Sequence, residues 1–163
     1  MLGVDAKAGA GIQATSGLGL ALNAEAHVGV LGWGVRGHYW QRLFSNSQLS
    51  WMAATVGKNV SPVPMINVSP GVGVAGLGQG ATTLGPLGTI HASFSPVLLP
   101  VSVEASVGAA WLGGTSLVLP YSVGAKVSLI PFTGVTLRYR GFEGNNALLS
   151  GANGPELGVE VGI

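Results

Sequence analysis

From Leu2 to Ala14 every second residue is apolar: Leu2, Val4, Ala6, Ala8, Ala10, Ile12 and Ala14 alternate with Gly3, Asp5, Lys7, Gly9, Gly11 and Gln13. After Thr15-Ser16-Gly17 the alternation resumes, with Leu18, Leu20, Leu22, Ala24, Ala26, Val28 and Val30 set against Gly19, Asn23, Glu25, His27 and Gly29. Period two sustained this long specifies an extended strand with unlike faces. A helix would scatter the same residues around its circumference. Both runs exceed the usual strand length of about five or six residues, and suit a tilted crossing of a bilayer.

The pattern continues down the chain. A strand near 32–43 sets Trp33, Val35 and Tyr39 against Arg36, His38 and Arg42. Strands near 86–96, 100–112, 116–130, 132–142 and 155–163 follow, with Glu104, Lys126, Arg138, Arg140, Glu156 and Glu160 each opposed to an apolar row. Residues 64–76 read as a strand with Ile66, Val68, Val72 and Val74 on one face, and Pro70 implies a bulge there. Residues 48–57 fit a strand or a helical stripe equally well. Counting both stretches predicts about ten strands, an even number that puts both termini on one rim; eight is the other reading. Tight connections are expected near 30–32, 96–100 and 130–132 on one rim, and longer ones near 77–85 and 143–155 on the other.

Charge obeys the alternation. Eleven of the thirteen Asp, Glu, Lys and Arg residues fall on the polar face, Lys58 and Glu143 being the exceptions. Charges that share a strand share parity: Asp5 with Lys7, Arg36 with Arg42, Arg138 with Arg140, Glu156 with Glu160. His27, His38 and His91 keep it too.

Composition decides what such strands can build. Only 8% of residues are charged, the mean hydropathy is +0.51, and 28 residues are glycine. Low charge with high hydropathy excludes ordinary disorder, and abundant glycine argues against helix. No run of 18 or more apolar residues exists to make a spanning helix. In lipid only helices and closed barrels satisfy their backbone hydrogen bonds, so the membrane option is a closed, all-β, antiparallel up-and-down barrel formed by the whole chain, 1–163, as one domain. Net charge of +1 without a basic cluster gives no nucleic-acid footprint, and the chain has no cysteine. Met1 leads directly into Leu2-Gly3-Val4-Asp5 with no signal peptide; a mature secreted chain with a replacement Met is expected, a natural cytosolic start being the other reading.

The aromatics suggest which face meets lipid. Tyr39, Trp51, Trp111, Tyr121 and Tyr139 are expected on the apolar face toward the long-loop rim, with Trp33, Phe94 and Phe132 toward the tight-turn rim. Two interfacial girdles are what a membrane barrel needs. A soluble lipocalin-like barrel, with apolar residues inside around an apolar ligand, is the inverse reading.

Over its whole length the chain resembles the small outer-membrane barrels of the OmpA/OmpX type. Its end, Glu156-Leu157-Gly158-Val159-Glu160-Val161, resembles the polar-x-Gly-apolar-x-apolar signal read by the barrel assembly machinery, although Ile163 stands where many such proteins carry an aromatic. The resemblance implies a bacterial outer membrane, membrane lipids and the assembly machinery as partners, and often no enzymatic activity.

Inside such a barrel, Asp5, Lys7, Glu25, His27, Arg36, His38, Arg42, Glu104, Lys126, Arg138, Arg140, Glu156 and Glu160 are expected to form a lumenal charge network. A first turn centred on Ser16 sets Lys7 opposite Glu25 and Asp5 opposite His27. A Val30-Leu31 turn sets Glu25 opposite Arg36 and Asn23 opposite His38, and a turn near Thr115 sets Glu104 opposite Lys126, with Arg138 and Glu160 next. Such a lumen fits an envelope scaffold or surface protein, or a narrow pore for water, ions and small solutes. A hydrolase using Asp5 and His27 is the remaining alternative, without a G-x-S-x-G context for any serine. No metal, cofactor or nucleic acid is expected, and the chain reads as a monomer.

Overall fold

The computed structural model describes residues 4–16, 19–43, 49–79, 81–130, 132–149 and 151–162. The strand positions expected at Leu2, Leu18 and Ile163 lie outside these residues. The strands are β1 (Val4–Thr15), β2 (Gly19–Val30), β3 (Trp33–Arg42), β4 (Ser50–Lys58), β5 (Val60–Val63), β6 (Ile66–Gln79), β7 (Ala81–Phe94), β8 (Val101–Leu112), β9 (Ser116–Ile130), β10 (Thr133–Gly144) and β11 (Gly154–Gly162). Apart from β4 and β5, which both pair with β6, consecutive strands pair antiparallel, and β11 pairs with β1. The sheet therefore closes on itself. Because β5 merely continues β4 past Asn59, the wall has ten staves.

The stretch 48–57 is a strand, from Ser50 onward. The interruption after it has a local cause. Pro70, which has no N–H to give a neighbouring strand, stands in β6 beside Gly57, where the β4–β6 ladder stops. The bulge expected at Pro70 itself is absent: Pro70 pairs with Ile90 in unbroken register, and the irregularity falls on the other neighbour of β6, in β5.

Two connections differ from expectation. β6 and β7 stay paired up to Gln79 and Ala81, so no long loop occupies 77–85. Glycines and Pro86 blur the alternation there, and Pro86 marks where β7 stops pairing with β8, whose ladder begins at Leu87. The expected tight turn near 96–100 is instead a six-residue connection, Ser95 to Pro100, with Val97, Leu98 and Leu99 fully outside. At the first rim, which we call the near rim, the turn is Leu31-Gly32 rather than Val30-Leu31. Leu31 has φ 54° and Gly32 φ 79°, as a type I′ hairpin requires at both central positions.

The outside of the wall is apolar. Val4, Ile12, Val28, Val35, Val72, Val107, Leu137 and Val159 all stand exposed on it. The buried residues form a cluster inside the barrel toward the far rim, including Trp40, Trp51, Leu77, Leu112, Val118 and Phe142. The connection between β10 and β11 folds over this end: Leu149, in the 3-10 turn Ala147–Leu149, and Ala152 are buried against it.

The lumen as candidate functional site

Arg138, on the inward face of β10, is the hub of the interior. Its guanidinium is paired with Glu25 of β2, lies 3.2 Å from Glu104 of β8 and 3.3 Å from Glu160 of β11, and is 3.8 Å from Glu156. Arg140 extends the cluster, with Nη2 3.1 Å from Glu25 and Nε 3.0 Å from Glu156, and with His38 in contact. Lys126 of β9 donates to Glu160. Arg138 and Glu156 are only 8% and 2% exposed, so these pairs sit out of bulk water, where losing one partner is expensive.

The neighbours differ in detail from those the hairpin arithmetic predicts. Lys7 faces His27 and Gly9 faces Glu25; Glu25 faces His38; Lys126 faces Ser102. In all three hairpins the register is displaced by two residues. The connection after Thr15 closes onto Gly19, and those around Leu31-Gly32 and Gly113-Gly114 use glycine at positive φ. A shift of two leaves every side chain on its face, so the charges still point into the lumen, each opposite a residue one pleat away from the expected one. Asp5 reaches His27 Nδ1 diagonally at 3.1 Å, and Asn23 lies 3.3 Å from His38 Nε2.

Gln13, which sequence reading passed over, stitches the closing seam. Its Nε2 donates to the carbonyl of Arg140 at 2.7 Å and to that of Gly154 at 3.3 Å. Its Oε1 accepts from Trp40 Nε1 at 2.8 Å. Arg36 and Lys7 line the lumen nearer the near rim, while Arg42 sits at the far end of β3 opposite Ala21, away from the Arg138 cluster. His27 Nε2 is buried and has no hydrogen-bond partner among the described residues; it lies over Gly34, 2.5 Å from where a Cβ would stand.

Above the charges the lumen turns apolar. Trp40 and Phe142 meet edge to face with centroids 5.6 Å apart, and Trp51 packs on Phe142 at 5.3 Å. Trp51, expected on the outer face, is wholly buried inside. Its strand offers no polar–apolar contrast, since Trp51, Ala53 and Thr55 point in while Met52, Ala54 and Val56 point out. Trp40 and Phe142 were within reach of the parity rule, for they share faces with His38 and Arg140. The remaining aromatics among the described residues lie on the outer face: Trp33, Phe94, Phe132, Trp111 and Tyr139 are exposed, Tyr39 half-buried, and Tyr121 lies over its cross-strand partner Gly141.

Between the apolar end and the near rim a cavity of about 310 Å³ remains. Trp51, Leu87 and Phe142 form its floor, and Asp5, Lys7, Asn59, Asn67 and Ser93 lie toward its mouth. Arg138, Arg140 and Glu25 crowd one wall, whereas the wall from β4 to β7 carries small groups such as Ala53, Thr55 and Thr89. Among the described residues no cluster of His, Asp and Glu is placed to hold a metal ion.

No protein-family model matches the chain, and no curated protein matches it. Among solved structures, a mutant of the Rh. blastica porin aligns over 100% of both chains at 10% identity, with a TM-score of 0.39. A likeness that loose carries no argument about activity.

Proposed function

We propose that this chain is an outer-membrane β-barrel acting as a scaffold or surface protein of the cell envelope, with a lumen closed to through-flow. Its apolar exterior meets lipid, and its polar interior is the inverse of a lipocalin's. Trp33, Phe94 and Phe132 serve as the aromatic girdle of the near rim, and Tyr39, Trp111, Tyr121 and Tyr139 as that of the far rim. β1 begins and β11 ends on the near side, which is the periplasmic one. The chain reaches the membrane through the barrel assembly machinery, works as a monomer, and needs no cofactor. No catalytic role is assigned to His27, whose free ring nitrogen faces Gly34 rather than a hydroxyl.

The observation that carries the closed-lumen reading is the stack of Trp40, Trp51 and Phe142 across the far end, roofed by Leu149 and Ala152. A hydrophobic constriction blocks conduction by dewetting. The cavity below it favours a second reading, a narrow pore that opens when the stack moves.

The chain refolded in detergent should run with different mobility before and after boiling, give a β spectrum and resist protease. In a planar bilayer it should show no single-channel steps. Regular steps from the unmodified chain would replace the scaffold reading with the pore. A chain that is soluble and monomeric without detergent would end the membrane reading.

A further inference from the structure

The charges lining the cavity are unevenly partnered. Every carboxylate among the described lining residues has a partner close by: Asp5 lies against the His27 imidazole, Glu25 has Arg138 and Arg140, Glu104 has Arg138, and Glu160 has Lys126 and Arg138. Two cations on the same lining do not. Among the described residues no carboxylate comes within 4.0 Å of Arg36 or of Lys7. Lys7 is exposed at the mouth, but Arg36 is half-buried in mid-strand. Glu104, Glu25, Asp5 and Glu160 attract Arg36 only from beyond that distance, so its planar fork of N–H donors has no oxyanion directly upon it.

What lies beside Arg36 is space. The row across the next three strands runs Thr55, Gly73, Leu87. No Cβ fits at Gly73, where one would stand 1.9 Å from the carbonyl of Ala54, so that stretch of wall stays low. Toward the far end the cavity floor is Trp51, Leu87 and Phe142, all buried, and the indole N–H of Trp51 has no acceptor among the described residues. An unpaired cation at one side and an aromatic floor with an idle donor at the other enclose a volume within the usual range of small-ligand sites, roughly 300–1,000 Å³.

We infer that the lumen binds a small amphipathic carboxylate of the arylalkyl type, its carboxylate on Arg36 and its ring on Trp51, Leu87 and Phe142. The carboxylate matches the guanidinium fork in plane and spacing, and the ring adds an edge or offset contact to the aromatic stack. The ligand comes in past Lys7 from the near rim, because the far end is shut. The site is a property of the barrel interior and stands whether or not the outer surface meets lipid.

The test titrates the full chain, refolded in zwitterionic micelles, with 3-phenylpropionate by calorimetry, and with 3-phenylpropionamide as the uncharged match. Saturable one-to-one binding is expected for the acid, weaker by about tenfold or more for the amide and in Arg36→Gln. Thr55→Leu, which fills the space beside Arg36 and leaves its charge, should weaken binding similarly. Lys58→Gln, on the outer face, should leave it unchanged. The heat-dependent gel shift shows which variants fold, and the acid–amide comparison and Thr55→Leu decide the matter if Arg36→Gln does not. Equal affinity for acid and amide, full affinity in a folded Arg36→Gln, or uptake that never saturates (partition into the micelle only) would overturn the inference.

Discussion

Arg138 lies flat across Gly124, its direct neighbour on β9: a Cβ added to Gly124 would stand 2.4 Å from Cγ of Arg138. The same device recurs, with His27 over Gly34 and Asp5 over Gly29. Long charged side chains fit inside a narrow barrel because the residue each one crosses has none.

Gly124→Ala should therefore push Arg138 out of its carboxylate nest and lower stability by about 1–3 kcal/mol, as overpacking does. Gly88→Ala, where a new Cβ meets nothing within 4 Å, should stay within about 0.5 kcal/mol. Urea midpoints in micelles compare the two. Equal midpoints would mean that the Arg138 nest adds nothing.

Replacing Arg138 by Met should cost about 3–5 kcal/mol, because Glu25, Glu104 and Glu160 lose a shared buried cation. The sign with pH follows from charge. Protonating the stranded carboxylates removes their repulsion, so the gap between variant and parent should narrow as pH falls and widen as it rises. A gap constant from acid to neutral pH would show that the loss is one of packing.

Phe142 touches both Trp40 and Trp51, so Phe142→Ala removes the centre of the stack. A loss of about 3–5 kcal/mol is expected. Single-channel recording should then show steps that the parent chain lacks. Silence in a folded Phe142→Ala would place the barrier elsewhere in the lumen.

Val107 stands in the middle of β8, 53% exposed on the outer face. If that face meets hydrocarbon, Val107→Arg should destabilise the bilayer-inserted barrel by about 2–4 kcal/mol. In water the same change on an exposed strand would be nearly neutral. Folding titrations in lipid vesicles distinguish the two.

Leu31 holds φ 54° in a turn that asks for Asn followed by Gly. Its side chain is 65% exposed and gives up little if replaced. Leu31→Asn should raise stability by about 1 kcal/mol, read again as a urea midpoint. A fall would mean that Leu31 makes a contact of its own at the near rim.

Parity made most of this molecule readable. Asp5 with Lys7 and Arg138 with Arg140 fixed which way their strands face, and the faces fixed a closed wall with charges inside. Parity is blind where both faces have the same polarity, which is why Trp51 went to the wrong side and why the strand ends at 77–85 read as loop. It also fixes register only modulo two, so the partners of Lys7, Glu25 and Lys126 came out one pleat away. The apolar far end was missed for another reason. Treating apolar as outward leaves no room for a core inside, although Trp40 and Phe142 share parity with His38 and Arg140. The cavity is the difference between a wall's circumference and the volume of its inward side chains, and no single strand carries that information.

The seam between β1 and β11 sets the order of events during folding. Ala8 pairs with Val161, so the first strand gains its second partner only when nearly the whole chain is in place. Contacts that distant in sequence form slowly, and loop closure is spent before they return anything. Until then Gln13 has no Arg140 or Gly154 carbonyl to bond, and Glu25 on β2 lies apart from Arg138 on β10. The barrel should consequently close like a zipper whose last tooth is its strongest, with half-formed sheets releasing their edges readily and finished barrels opening hardly at all.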